Sequence, residues 1–490
     1  MARIDLTVRE AGLRHAVERA RERNIVIPTY AQMKDPSLIP GVVLDDLAHI
    51  GLFDLAPRNL FRVTWHNEPV PFGGGFGLPS HVEFPSSLTG CEARIIALVG
   101  KWFPIGAHKV GAAFGCLVPR LVTGQFDPTS QKAVWPSTGN YCRGGAYDSA
   151  LLGCDSIAVL PEGMSRERFD ALADMAGEVV VVPGCEAGLM DLFDRCDELC
   201  RGQRDLVVFN QFEEFGNYLW HYEMTGHAME DVLESVMGPR DEFFGFACST
   251  GSAGTIAAGD YLKEVFPGSK IVASEALQCP TMLEGGFGKH RIEGIGDRHV
   301  PWIHNVRNTD VVVAVDDNAV VSLARLFNEP VGRDFLGRQG VPDALVGSLD
   351  LLGLSGIANL LAALKTARYF ELGRHDVVLT VLTDSMDLYG SRLQEFQDAC
   401  GDYTETAAAA DYARHLLGQS ADHIAELTYR ERKRVHNSKY FTWVEQLGKS
   451  EQALKAQWYE TDYWAEVQAQ VSSVDALITE FNDQVGIVRS

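Results

Sequence analysis

The chain has 490 residues, 46% of them apolar and 22% charged, and a net charge of −23. Those proportions are ordinary for a globular protein with one or two full cores. The acidic balance argues against nucleic acid or an anionic membrane as partner, and no run of about 18 apolar residues predicts a spanning helix. Residues 1–84 open on an amphipathic helix, Ala11 to Arg23, then pass through loops ending in Gly73-Gly74-Gly75 and Pro79. Arg3, Asp5, Arg9 and Glu10 interrupt the N-terminus, so no signal peptide is expected. Residues 85–127 are read as a first strand pair and a helix. Residues 128–235 alternate strands with helices, at Lys132–Trp135, Ser156–Leu160, Val179–Val182 and Leu206–Phe209. Residues 236–400 repeat the pattern, with strands near 243–248, 270–274, 310–314 and 377–382. Such alternation predicts an α/β fold with parallel sheets and flanking helices. Residues 401–490 read as a helical extension, with apolar spacing in Glu451–Trp458 and Tyr463–Val471. It is expected to serve as a lid or dimer element, or simply to cover apolar surface. Ten cysteines lie scattered without a CxxC pair. The pattern predicts reduced thiols, a cytoplasmic location and no metal site.

Four small-residue segments carry the chemistry. In Ile105-Gly106-Ala107-His108-Lys109-Val110-Gly111, Lys109 sits where a loop enters a helix. A desolvated amine there suits a Schiff base with pyridoxal phosphate; a plain surface lysine is the other reading. In Pro136-Ser137-Thr138-Gly139-Asn140, backbone N–H groups between strand and helix can hold a carboxylate, and Asn140 can bond a phenolate-type oxygen; a capped turn would look similar. Ser249-Thr250-Gly251-Ser252-Ala253-Gly254-Thr255 joins a strand to a helix start, as a phosphate cradle does. It lacks the lysine of a nucleotide loop. Leu382-Thr383-Asp384-Ser385 follows the last strand of this region.

Taken together these segments resemble the fold type II pyridoxal-phosphate enzymes, the tryptophan synthase beta-like group. Gly106-Ala107-His108-Lys109 resembles the tryptophan synthase lysine motif, Ser137-Thr138-Gly139-Asn140 the asparagine loop, and Gly251 to Thr255 the phosphate loop. Gln211-Phe212, Asn217, His221-Tyr222 and Thr225-Gly226, with Lys289-His290-Arg291-Ile292-Glu293-Gly294-Ile295-Gly296, are similar to the cysteine synthase and cystathionine beta-synthase branch. The resemblance spans roughly residues 85–400. It implies two Rossmann-like three-layer αβα domains: a larger cofactor-binding one (85–127 and 236–400) and a smaller mobile one (128–235), with extensions at 1–84 and 401–490. It implies Lys109 as catalytic base and cofactor anchor. Asn140, Gly251, Ser252, Ala253, Gly254, Thr255 and Ser385 would bind the cofactor, Ser385 facing its pyridine nitrogen. Ser137, Thr138, Gly139, Gln211 and Gly294 would bind substrate. The departures are Val110-Gly111 after the lysine, Tyr141-Cys142-Arg143 after the asparagine, and Ala253 in place of a glycine.

The implied activity is beta-elimination or beta-replacement on a cysteine- or serine-like amino acid, through an aminoacrylate intermediate. A serine/threonine-type ammonia-lyase or racemase, and a non-catalytic cofactor-binding protein, are the alternatives. Arg143 is read either as the partner of a second anionic group on the substrate or as an ion pair with Asp148. His108 is expected to pack near the phosphate, and His221 to satisfy a buried hydrogen bond. Cys142 is read as a buried small residue, its reactivity depending on Arg143. The expected partners are a small amino-acid substrate and a second copy in a homodimer.

Overall fold

The computed structural model describes residues 4–183, 189–296 and 298–487. Eleven strands form two sheets. The larger combines β1 (His81–Phe84), β2 (Arg94–Val99), β7 (Glu242–Ser249), β8 (Lys270–Ala276), β9 (Val311–Val315), β10 (Asp376–Leu382) and β11 (Ile424–Glu426), in the order β1-β2-β10-β7-β8-β9-β11. Its five inner strands run parallel, and β1 and β11 close the edges antiparallel. The smaller sheet is wholly parallel, in the order β5 (Glu178–Val182), β4 (Asp155–Pro161), β3 (Lys132–Pro136), β6 (Leu206–Val208). Strands covered on both faces need continuous apolar runs. Arg94-Ile-Ile-Ala-Leu-Val and Asp376-Val-Val-Leu-Thr-Val-Leu are such runs, buried after their first residue.

The helix Lys109–Val122 starts on the loop after β2 and is buried over most of its length. Two glycines set its depth. A Cβ on Gly115 would lie 2.3 Å from the Gly216 carbonyl oxygen, and one on Gly216 would lie 2.0 Å from that of Gly115. Only bare backbone lets this helix and Phe215–Trp220 approach so closely. Lys109 is thereby pinned at the carboxyl ends of the strands.

Both extensions pack on this body and on each other. Asp475 accepts from the backbone N–H groups of Tyr30 (2.6 Å) and Ala31 (3.1 Å). Asn482 pairs with Ile27 in both directions, and Gln470 likewise with Ile4. The strand positions match the sequence expectation to within one or two residues. Two details differ. β1 falls at 81–84, inside the segment read as a plain extension, because the sheet needs an edge beside β2. The tail supplies β11, whose three residues are too few to show alternation in sequence.

Candidate active site

In open α/β sheets, ligands bind beyond the carboxyl ends of the strands. A cleft lies there, between the loops that follow β3, β7 and β10 and the start of the Lys109 helix. Ala107 bridges to Asp384, and the N–H of His108 donates to the Thr383 carbonyl at 3.2 Å, so the lysine loop is tied to the end of β10. The Lys109 amine enters the cleft half-buried, donating to Ser252 Oγ at 2.8 Å and Gln211 Oε1 at 3.3 Å. Burial lowers its pKa to about 8.

The loop after β7 forms one wall. Between Gly251 and Thr255 no backbone N–H finds an acceptor among the described residues. The helix Ala257–Val265 begins immediately after. Aligned free N–H groups at a helix start hold an oxyanion. Ala253 sits at φ +59°, in the left-handed region that costs a non-glycine residue about 1–2 kcal/mol. The substitution of alanine for glycine noted in the sequence therefore leaves the loop conformation intact at a local cost. Gly254 admits no side chain: a Cβ there would lie 2.0 Å from Asn217 Oδ1.

The loop after β3 faces this wall. Ser137 and Thr138 line the cleft, and Gln211 Nε2 donates to Ser137 Oγ at 3.5 Å. Asn140 lines it too, its amide held by Arg143 on the oxygen (3.2 Å) and Asp384 on the nitrogen (2.6 Å). Gly294, at φ +96°, lies on the opposite lip beside Ser355. His108 Nδ1 bonds the Thr383 carbonyl at 3.0 Å, and its Nε2 bonds Thr255 Oγ1 at 2.9 Å. A carbonyl only accepts, so Nδ1 carries the proton. Burial pushes the His108 pKa down to about 3, keeping the ring neutral. Trp65, from the N-terminal extension, lies against that ring and bonds Thr225 Oγ1, which also bonds His221 Nδ1 at 2.8 Å. The extension thus forms the back of the site.

Three expectations are corrected. Ser385 is buried but does not line the cleft; the hydroxyls there belong to Ser355 and Thr383, which bond each other. Ser385 precedes a short 3-10 turn, Met386–Leu388, which carries it away from the end of β10. Arg143 is also buried outside the cleft, donating to Asn140 and to the Ile105 carbonyl (2.8 Å). Among the described residues no hydrogen bond or ion pair joins it to Asp148. Asp148 is itself buried without a partner, and its pKa is raised well above the carboxylate range. Gly139, at φ +151°, does not reach the cleft but packs on Arg168. Cys142 is fully buried, and burial pushes its thiol up to about 12 despite Arg143. Ser355 went unread in the sequence; its signal is Gly353-Leu354-Ser355-Gly356 opening the long helix Leu354–Tyr369.

Residues 103–332 match the family model described as pyridoxal-phosphate dependent enzyme. A cysteine synthase from Staphylococcus aureus is 28% identical over 297 residues, 60% of this chain and 87% of that protein. A probable cysteine synthase from Bacillus subtilis is 27% identical over 288 residues, covering 58% and 85%. Among solved structures, a hydrogen sulfide-producing enzyme from Fusobacterium nucleatum shares the fold with a TM-score of 0.53 and 24% identity, covering 69% of this chain and 90% of its own. An O-acetylserine sulfhydrylase isoform from Entamoeba histolytica does so with a TM-score of 0.54 and 21% identity, covering 68% and 92%. Over residues 103–332 the chain matches the pyridoxal-phosphate dependent enzymes, and its fold is that of fold type II. Its cofactor is pyridoxal 5'-phosphate, and the cleft fits that group: a depressed amine, a row of free N–H groups for the phosphate, and hydroxyls at Ser355 and Thr383.

The lowered Lys109 pKa has a direct consequence. Trace acetylation of the cofactor-free protein, read by mass spectrometry, should rise about tenfold per pH unit below 8 and level off above it. A rise that continues through pH 10 is the behaviour of an ordinary lysine and contradicts the depressed value.

Proposed function

We propose that the protein catalyses beta-elimination or beta-replacement on a cysteine- or serine-like amino acid. The observation that carries this reading is the Lys109 amine, held between Ser252 and Gln211 and facing a loop of small hydroxyl residues. When bound, pyridoxal phosphate supplies an aldehyde for the amine and a conjugated ring that accepts electrons from the alpha carbon. Lys109 would anchor it, the N–H groups of Gly251–Thr255 would hold its phosphate, and Asn140 would bond its ring oxygen. Ser355, in preference to Ser385, is the hydroxyl offered to the ring nitrogen. A neutral hydroxyl leaves that nitrogen unprotonated, which favours chemistry at the beta carbon.

Ser137, Thr138 and Gln211 would orient the substrate carboxylate. Lys109 Nζ, with its pKa lowered to about 8, reaches the neutral form that takes the alpha proton at a lower pH than an ordinary lysine does. His108 stays neutral and serves as a packed hydrogen-bond bridge to Thr255. The cysteine synthase relatives support a sulfur- or oxygen-linked leaving group. The reading extends to a mobile unit around the smaller sheet and to a cytoplasmic homodimer. Exposed Val42, Leu44, Val70 and Phe72 on the N-terminal extension are apolar surface that a second copy would cover.

The test is the visible spectrum of the purified protein as cysteine, O-acetylserine, serine, threonine, cysteate and aspartate are added singly. A lasting new band with one of them, accompanied by sulfide, acetate or pyruvate, is the expected result. A yellow protein that none of them converts to product overturns the substrate class.

A further inference from the structure

Arg168, on the helix Arg166–Ala173 that follows β4, is fully buried, yet it touches three loops of the cleft. Its guanidinium donates to the Thr138 carbonyl at 2.8 Å, pairs with Glu293 Oε2 at 2.9 Å, and donates to the Tyr389 hydroxyl at 2.7 Å. Asp384 Oδ2 lies 3.8 Å away and accepts from Tyr389 (2.7 Å) and Asn140 (2.6 Å). A Cβ on Gly139 would come within 2.4 Å of the Arg168 side chain, so the loop Ser137–Asn140 lies directly on it. Two of these partners adjoin residues that line the cleft: Glu293 precedes Gly294, and Asp384 follows Thr383. The neighbouring Glu167 makes a second tie, accepting from Ser391 N and Oγ, both at 2.7 Å. Arg392 in turn bonds Glu293.

Thr138 and Arg168 belong to the smaller sheet's connections, whereas Asp384, Tyr389 and Ser391 follow β10 of the larger. A buried guanidinium is costly unless fully paired, and its forked donors fix geometry as well as charge. We infer that Arg168 is a positioning residue that latches the carboxylate-binding loop of the smaller sheet to the Glu293 and Asp384–Tyr389 segments of the larger. The substrate-carboxylate donors and the Asn140 amide are then set by one contact between the sheets. A residue buried merely for packing would need neither the Thr138 carbonyl nor three acidic or phenolic partners from two other segments.

This inference rests on the amino-acid reading of the cleft, and its test separates the two. Holoenzyme carrying Arg168→Lys, and separately Tyr389→Phe, is compared with the unaltered protein in hydrogen exchange over 137–140 and in KM against kcat for the amino acid that shifts the spectrum. The expected result is faster exchange and a KM raised roughly tenfold, with kcat within about twofold and cofactor content unchanged. Arg168→Gln should raise KM further, and lysine should recover part of the loss. Unchanged exchange and KM in a folded Tyr389→Phe and Arg168→Lys pair overturn the latch. If Arg168→Lys does not fold, Tyr389→Phe, which keeps the ring under the guanidinium, decides alone. If no amino acid shifts the spectrum of the unaltered protein, the substrate reading fails while hydrogen exchange still decides the latch.

Discussion

Replacing Lys109 by alanine is expected to lower turnover by about 10³-fold or more while leaving the fold in place. The two halves of that expectation have separate causes. Among the described residues that line the cleft the amine is the one lysine or arginine cation, and it lies within reach of both the 251–255 loop and the 137–140 loop. No neighbour replaces it as a base: His108 is neutral and fully engaged by Thr255 and the Thr383 carbonyl. The fold, by contrast, gains little from Lys109. Burial depresses its pKa, so charging it in place is unfavourable, and its partners are a hydroxyl and an amide rather than a carboxylate. Turnover and thermal melting of Lys109→Ala measure the two effects independently. A variant that melts normally and retains a tenth of the activity would exclude Lys109 as the base. Borohydride reduction of the holoenzyme is expected to label the same residue, and a label on another lysine would reassign the anchor.

The fold was legible in the sequence because fully covered parallel strands leave a plain signal. Val377-Val378-Leu379 and Val311-Val312-Val313 cannot face water on either side, and both lie where the strands stand. The edge strands β1 and β11 were harder to read. His81-Val82-Glu83-Phe84 and Ile424-Ala425-Glu426 are short and half-exposed, and each pairs on one side only. Their existence depends on the neighbour that recruits them, which local sequence does not record.

The same distinction applies in the site. The structure brings Lys109, Asn140 and Gly251–Thr255 to one cleft, and each follows a strand among small residues, a local pattern. Arg143 was misread for an instructive reason. A guanidinium three residues after Asn140 lies one helical turn on, which suggests the cleft, but its side chain turns to the Ile105 carbonyl and the Asn140 amide. Ser385 failed because proximity to the end of β10 does not fix direction; Thr383, two residues earlier, faces the cleft instead. Arg168 acts through a partner 221 residues away, Tyr389, so no local spacing announces it, and the Gly353-Leu354-Ser355-Gly356 signal does not record that Ser355 meets Thr383. Charge placement in this site is a tertiary property, whereas the backbone cradle is a local one.

Gly254→Ala is expected to be the most damaging single-methyl change in the chain's cofactor loop, because the added carbon has nowhere to go. It would lie 2.0 Å from Asn217 Oδ1 and 2.7 Å from the Asn217 carboxamide carbon, far inside van der Waals contact. Asn217 is buried and cannot yield without loss. Its Nδ2 donates to the Gln211 carbonyl at 2.9 Å and to Ser252 Oγ at 3.1 Å. Moving Asn217 therefore releases Ser252, the nearer partner of Lys109, and Gln211, the other partner. The N–H row that receives the phosphate would be distorted in the same step. Phosphate contacts of this kind are charge-assisted, each contributing about 1.5–3 kcal/mol, so losing one or two weakens cofactor binding by about 10²-fold. Equilibrium titration of the cofactor-free variant with pyridoxal phosphate measures that loss. Substitution at Gly268, around which nothing lies within 4 Å of an added Cβ, is the matched control and should leave binding unchanged. Equal affinities in the two variants would mean that the 251–255 loop does not carry the phosphate, and the cradle would have to be sought elsewhere in the cleft.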